Sequence, residues 1–323
     1  MARPATTSRL ILVDGFAGIG KSTTAQQLWC DLATAGRRAT WFHEHESEHP
    51  IFQYGEVEDL LGLTAPRFEA RVLAGWEAFA GQDDGQTVRI TEASFFQIPV
   101  GIMLSLNVPA HRIRKLLFQI EHLIGRLDPA LVYLYSADLG TALNKVGDVR
   151  GRRWLEAMAA VVAQSRYGRA HRVRDISGLI EFYRRHRAII DSVLPKLTLR
   201  RLAVDVGDAR WDRYRRRIGT FVGIRPTEQQ VLRPTALLRH VGHYRGTTTG
   251  KTSVVTTDAK ALYLQQPACS AHPLIRIRPG HFCLKSLPID VRFSYRRNGE
   301  ASRFDYDSRI VNEVVSDSTW LRV

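Results

Sequence analysis

Residues 10–24, Leu-Ile-Leu-Val-Asp-Gly-Phe-Ala-Gly-Ile-Gly-Lys-Ser-Thr-Thr, constrain this chain more than any other stretch. The apolar run that ends at Asp14 reads as a buried strand, the glycines as a turn, and the residues after Lys21 as a helix. The spacing Gly15-x4-Gly20-Lys21-Ser22 satisfies the Walker A pattern. Glycines let a backbone approach an anion closely and turn its N–H groups inward, and the following helix adds the positive end of its dipole. The residues expected to hold a polyphosphate are therefore Gly15, Phe16, Ala17, Gly18, Ile19, Gly20, Lys21, Ser22 and Thr23. Lys21 is expected against the β- and γ-phosphates, and the Ser22 hydroxyl on Mg²⁺.

The next elements extend this start into a parallel sheet. Residues 22–35 read as a helix with Ala25, Leu28, Trp29 and Leu32 as its apolar stripe, ended by Gly36, and 39–42 as a second strand. Strand, helix and strand in this order make a βαβ unit. Ligands of open parallel sheets bind beyond the carboxyl ends of the strands. Glu44 follows the second strand, and Glu92 follows a third at 87–91, where a carboxylate on the magnesium side belongs. His45-Glu46-Ser47-Glu48-His49 spells the zinc pattern H-E-x-x-H. That pattern needs a helix to put both imidazoles on one face, and Pro50 disfavours one, so zinc chemistry is not expected.

Further along, residues 51–85 are expected to be helical, punctuated by Pro66 and Gly75. A basic helix is expected at 110–127, a central strand at 130–135 and a helix from 138. Mostly helical chain should fill 154–194, followed by a strand at 199–204 and a helix at 211–222. Arg150, Arg152 and Arg153 form a cluster after a late strand, where arginines can close over a transferring phosphoryl group. Arg184-Arg185 and Arg215-Arg216-Arg217 read as solvated surface.

With these residues in view, residues 8–223 resemble the P-loop kinases of the thymidylate kinase and deoxynucleoside kinase group. Asp14-Gly15 through Thr24 resembles their phosphate loop. Glu44 looks like the catalytic-base glutamate, and Glu92-Ala93-Ser94 resembles their Glu-Arg-Ser segment. Leu131 to Leu134 followed by Arg150-Gly151-Arg152-Arg153 resembles the strand and arginine-rich lid, and the strand ending at Asp205 resembles the last strand of the fold. Ala93 replaces the family's arginine, His45 stands where a proline is usual, and 154–194 is long for a lid and its flanking helix.

Beyond a linker at 224–240 the texture changes to short alternating runs at 253–256, 261–264, 274–277, 289–293 and 302–306. Asn298-Gly299 marks a hairpin. Residues 241–323 are therefore expected to form a small antiparallel β-rich domain. Val241 to Gly246, Ala261 to Leu264, His281-Phe282, Phe293 and Gly299 resemble the small β-rich module appended to some β-lactamase-family hydrolases, which has no catalytic residues of its own. Gly246 to Thr252 superficially looks like a second phosphate loop, but has three residues between its glycines and no helix after it, so it reads as a hairpin loop.

The expected whole is an α/β P-loop sheet flanked by helices in domain 1–223, followed by a β-rich accessory domain. The expected activity is transfer of the γ-phosphoryl of ATP, with Mg²⁺, to a small-molecule acceptor such as a nucleoside or nucleotide. Glu44 would be the base, Ser22 and Glu92 the metal ligands, Lys21 and the three arginines the charge stabilisers. Trp76, Phe95 and Gln97 would line the acceptor pocket, with Gln97 reading an amide edge. The net charge of +14 keeps other classes open: a nucleic-acid end kinase or another nucleic-acid-binding protein. A non-catalytic nucleotide-binding regulator is a third class, and a homodimer is compatible with any of them. Three cysteines at 30, 269 and 283 fit no zinc spacing. Residues 1–8 show no signal peptide and no run is long enough for a membrane span, so a cytoplasmic location is expected.

Overall fold

The computed structural model describes residues 8–52, 62–226, 232–310 and 317–323. They fall into two compact units: 8–28, 37–44, 49–52 and 62–226 in one, and 29–36, 45–48, 232–310 and 317–323 in the other.

The first unit is built on five parallel strands: β1 (Leu10–Asp14), β2 (Ala39–Phe42), β3 (Val88–Glu92), β4 (Ala130–Tyr135) and β5 (Arg200–Asp205), in the order β2-β3-β1-β4-β5. The apolar run at the start of β1 is fully buried because this strand is central, paired with β3 on one side (Val13↔Glu92) and β4 on the other (Asp14↔Tyr133). Such strands need apolar residues on both faces, hence their continuous rather than alternating pattern. The register brings Asp14 and Glu92 to the same end of the sheet.

Among the described residues the helices that accompany these strands are α1 (Lys21–Thr34), α2 (Ala65–Gly81), α3 (Gln97–Ser105), α4 (Ala110–Ile124), α5 (Leu139–Arg150), α6 (Arg152–Gln164), α7 (Arg166–His171), α8 (Ile176–Val193) and α9 (Trp211–Val222). Of the helical stretch expected at 51–85, residues 65–81 form α2, and 53–61 lie outside the described residues. The chain expected to be mostly helical at 154–194 is three helices. Ser165 caps α7 by accepting from the Gly168 amide at 3.0 Å, and Asp175 caps α8 by accepting from Gly178 at 3.1 Å. Helix α3 had no sequence signal, because Gln97–Ser105 is apolar on most sides and carries no helical period. Among the described residues no helix is long and apolar enough to cross a membrane.

The second unit is an eight-stranded antiparallel barrel. Its strands are β6 (Gly242–Gly246), β7 (Thr252–Thr257), β8 (Leu262–Gln265), β9 (His272–Arg278), β10 (His281–Leu284), β11 (Ile289–Tyr295), β12 (Ala301–Ser308) and β13 (Thr319–Arg322). Pairing of β13 with β6 closes the sheet and leaves no free edge. The expected hairpin joins β11 to β12, and residues 247–251 are indeed a hairpin loop between β6 and β7. Alternation sends Val291 and Phe293 inward and Arg292 outward, and the interior is filled by Tyr244, Phe282, Phe293, Phe304, Tyr306 and Trp320.

Phe304 sits 5.0 Å from the Tyr244 ring centroid and stacks on Trp320 at 5.8 Å. Replacing it by alanine leaves a cavity in a closed barrel that cannot collapse freely. Phe304→Ala should cost about 3–5 kcal/mol, read as a lowered urea midpoint of the barrel. A midpoint equal to wild type would contradict this packing.

Candidate functional site

The glycine loop leaves β1 at residue 15 and enters α1 at Lys21. Gly15 has φ +150°, and a side-chain carbon there would strike the Leu134 carbonyl of β4. Gly20 has φ +96°, and the same atom would lie 2.6 Å from the Trp211 ring. Both positions demand glycine for reasons of conformation and of space. The strand–loop–helix unit and the parallel strand order fit a P-loop fold.

Four elements bring polar groups to this loop. From α1, the buried Lys21 donates to the Phe16 carbonyl at 3.2 Å and stands 4.0 Å from Glu44 Oε2. After β2, the Glu44 carboxylate accepts from Gln97 Nε2 at 2.9 Å, while the Glu44 amide donates to Glu92 Oε1 at 3.3 Å. At the end of β3, Glu92 is fully buried, with His43 Nε2 3.3 Å from its Oε1. Burial, and then the neighbouring Glu44 carboxylate, push the Glu92 carboxyl well above the usual carboxylate range; Lys21 and a hydrogen bond from Ser22 oppose them. Glu92 Oε2 is buried with no hydrogen-bond partner among the described residues. A buried carboxyl oxygen with no hydrogen-bond partner, beside a hydroxyl, fits a cation ligand set, since hard cations take oxygen donors and favour the ionised form that burial disfavours.

Lys21, Ser22, Glu44, Glu92 and Gln97 are thus brought together. Other expected site residues are not. Trp76 and Phe95 are fully buried members of the apolar core, where large aromatic side chains gain most, and they present no open face to an acceptor. Arg150 ends α5, with its guanidinium over the Trp154 ring at 4.9 Å. Gly151, at φ +89°, breaks the helix, so Arg152 and Arg153 begin α6 and face solvent. Arg152 pairs with Glu156 at 3.2 Å. Among the described residues neither arginine contacts Lys21, Glu44 or Glu92. None of residues 45–49 is helical: 45, 47 and 48 are turn residues and Glu46 makes an isolated bridge.

Helix α8 adds residues that no local motif announced. The Tyr183 ring lies 6.1 Å from Phe16 of the loop and 6.3 Å from His186. Burial raises the Tyr183 hydroxyl to about 12, with the Glu44 charge in the same direction and Arg150 opposing. His186 Nε2 is 3.3 Å from the Gln97 carbonyl, which can only accept, so this nitrogen carries the proton. The available signal was His186 standing among Leu179, Phe182, Ile189 and Val193 on the buried stripe of α8.

Burial holds His186 and His49 neutral, each lowered from 6.5 to about 4. The unfolded chain takes up a proton on each near pH 6.5, the folded chain only near pH 4. Their contribution to stability is complete above pH 6.5 and is lost as pH falls through this window. Unfolding free energy should drop by about 3 kcal/mol per ring between neutral pH and pH 4. His186→Gln should flatten that slope, and an identical slope in the variant would contradict a buried neutral imidazole.

No family model matches the chain, and no curated protein matches it. Among solved structures it is similar to the YorR protein of Bacillus subtilis in complex with phosphorylated GDP. The identity is 16% and the TM-score 0.39, over 66% of this chain and 95% of that one.

Proposed function

We propose that this chain is an ATP-dependent phosphotransferase that moves a γ-phosphoryl group to a small-molecule acceptor, with a nucleoside, nucleotide or related metabolite as the substrate class. One observation carries the reading: an ammonium, a hydroxyl and two carboxylates converge on a glycine loop at the carboxyl ends of β1, β2 and β3. Residues 15–23 hold the polyphosphate through backbone N–H groups and the α1 dipole. Ser22 and Glu92 are the residues that would hold Mg²⁺, which supplies charge neutralisation on the phosphates. Lys21 is already directed over the loop by the Phe16 carbonyl.

Glu44 is the general base in this reading. Its carboxylate accepts from Gln97 Nε2 and stands 4.0 Å from the Lys21 ammonium, a position from which it can take the proton of an attacking hydroxyl. Arg150, within electrostatic reach of Tyr183, adds positive charge, whereas Arg152 and Arg153 are exposed at the start of α6. Gln97 Oε1 has no hydrogen-bond partner among the described residues and is the group best placed to accept from an acceptor's N–H.

A panel of nucleosides, nucleotides and other hydroxyl metabolites with labelled ATP tests this. Lys21→Ala should reduce transfer by about 10²–10³-fold. Glu44→Gln should reduce it by about 10²–10⁴-fold while ATP affinity stays within a few-fold of wild type. Full transfer in Glu44→Gln would remove Glu44 as the base. ATP binding without transfer to any acceptor would favour a nucleotide-responsive regulator instead.

A further inference from the structure

The helical segment between α6 and α8 carries a cationic surface that the phosphotransfer reading does not use. Its centre is α7, a short helix fixed in a tight corner. The Ser165 and Asp175 caps close its two sides, and Tyr167 is buried between His171, at 4.2 Å, and Phe182, at 5.3 Å. A side-chain carbon on Gly168 would strike the Val162 carbonyl, so the turn has no slack. Tyr183 lies seven residues beyond the start of α8, about 10 Å along the helix axis.

This corner displays Arg166, Arg169, Arg172 and Arg174, all exposed, with the first three spaced three residues apart. Some surface arginines face an acid, namely Arg112 with Glu69, Arg152 with Glu156, Arg184 with Glu181 and Arg187 with Asp191, whereas others, such as Arg153, Arg216 and Arg217, are exposed with no acid at ion-pair distance among the described residues. Among the described residues none of the four corner arginines has a carboxylate within ion-pair distance. The nearest acid in sequence, Asp175, accepts from the Gly178 amide as the α8 cap. The segment 165–175 contains no lysine. Planar guanidinium forks match phosphate oxygens bidentately, which ammonium groups do not. Val161 is the one exposed large apolar side chain on α6–α8 in the described residues, so the corner lacks the apolar surface a membrane-binding face needs.

We propose that the 166–174 corner docks the phosphodiester backbone of a nucleic-acid strand. The capped turn gathers four exposed guanidinium groups against one carboxylate, Asp175, and Arg169 also donates to the Gln164 carbonyl; a polyanion offsets the remaining positive charge. This surface is independent of the glycine loop, so it stands or falls apart from phosphotransfer.

The test is fluorescence anisotropy of the full chain with labelled 20-nucleotide single-stranded DNA and RNA across a salt series. Wild type should bind saturably at low salt. Replacing Arg166, Arg169, Arg172 and Arg174 together by alanine should weaken binding at least tenfold and flatten the log–log salt slope by about 3, the value for four phosphates on a single strand. The fourfold lysine variant should keep most of the slope. Two double variants, Arg166→Ala/Arg169→Ala and Arg172→Ala/Arg174→Ala, should each lose about half of it, which serves if the fourfold variant folds poorly. The proposal is overturned if wild type shows no saturable binding, or if the alanine variants keep the wild-type slope. It is equally overturned if poly-glutamate or anionic vesicles bind the corner and oligonucleotides do not.

Discussion

A single buried carboxylate ties the glycine loop to the rest of the site. Asp14, at the end of β1, is about 1% exposed and accepts four backbone N–H groups: Gly15 at 2.8 Å, Phe95 at 3.0 Å, Phe96 at 2.7 Å and Gln97 at 3.0 Å. Burial pushes its carboxyl upward, while those amides and Lys21 pull it back. An unpaired buried charge costs several kcal/mol, and charge-assisted bonds of this kind are what offset it. Three of the donors are amides at the start of α3, so Asp14 fixes where that helix begins. It thereby places Gln97, whose side chain reaches Glu44, whose own amide reaches Glu92.

The local half of this arrangement was legible in the chain. Residues 10–24 encode strand, loop and helix within a few turns of each other, and Glu44 and Glu92 could be placed because each follows a strand with a clear apolar pattern. The other half depends on long-range packing. Tyr183 and His186 reach the loop from more than 160 residues away, through the docking of α8, and no spacing rule connects them to Gly15. For Trp76 and Phe95 the residue type alone does not separate pocket wall from core, since aromatic residues of that size serve both, and the core is where they lie. In the barrel, the Asn298-Gly299 hairpin was visible because its turn chemistry is local. Strands β6, β10 and β13 are four or five residues long, and closure rests on β13 meeting β6 across more than 70 residues.

The excess positive charge is not distributed as one property. Arg152, Arg184 and Arg187 each face an acid one helical turn away, and Arg150 lies over the Trp154 ring. The α7 corner holds charge with no such partner. In the proposed reading two features are directed at anions by different physics: a glycine loop that offers backbone N–H groups and a helix dipole in a confined space, and an exposed group of guanidinium side chains whose attraction is screened by salt.

The central claim is that residues 15–23 enclose a polyphosphate. Titration calorimetry of the purified chain with ATP and Mg²⁺, followed by competition with inorganic tripolyphosphate, addresses it most directly. The account predicts saturable binding at one site, displaced by tripolyphosphate because the loop recognises phosphates rather than the base. Absence of binding by any nucleoside triphosphate in the presence of Mg²⁺ would contradict it.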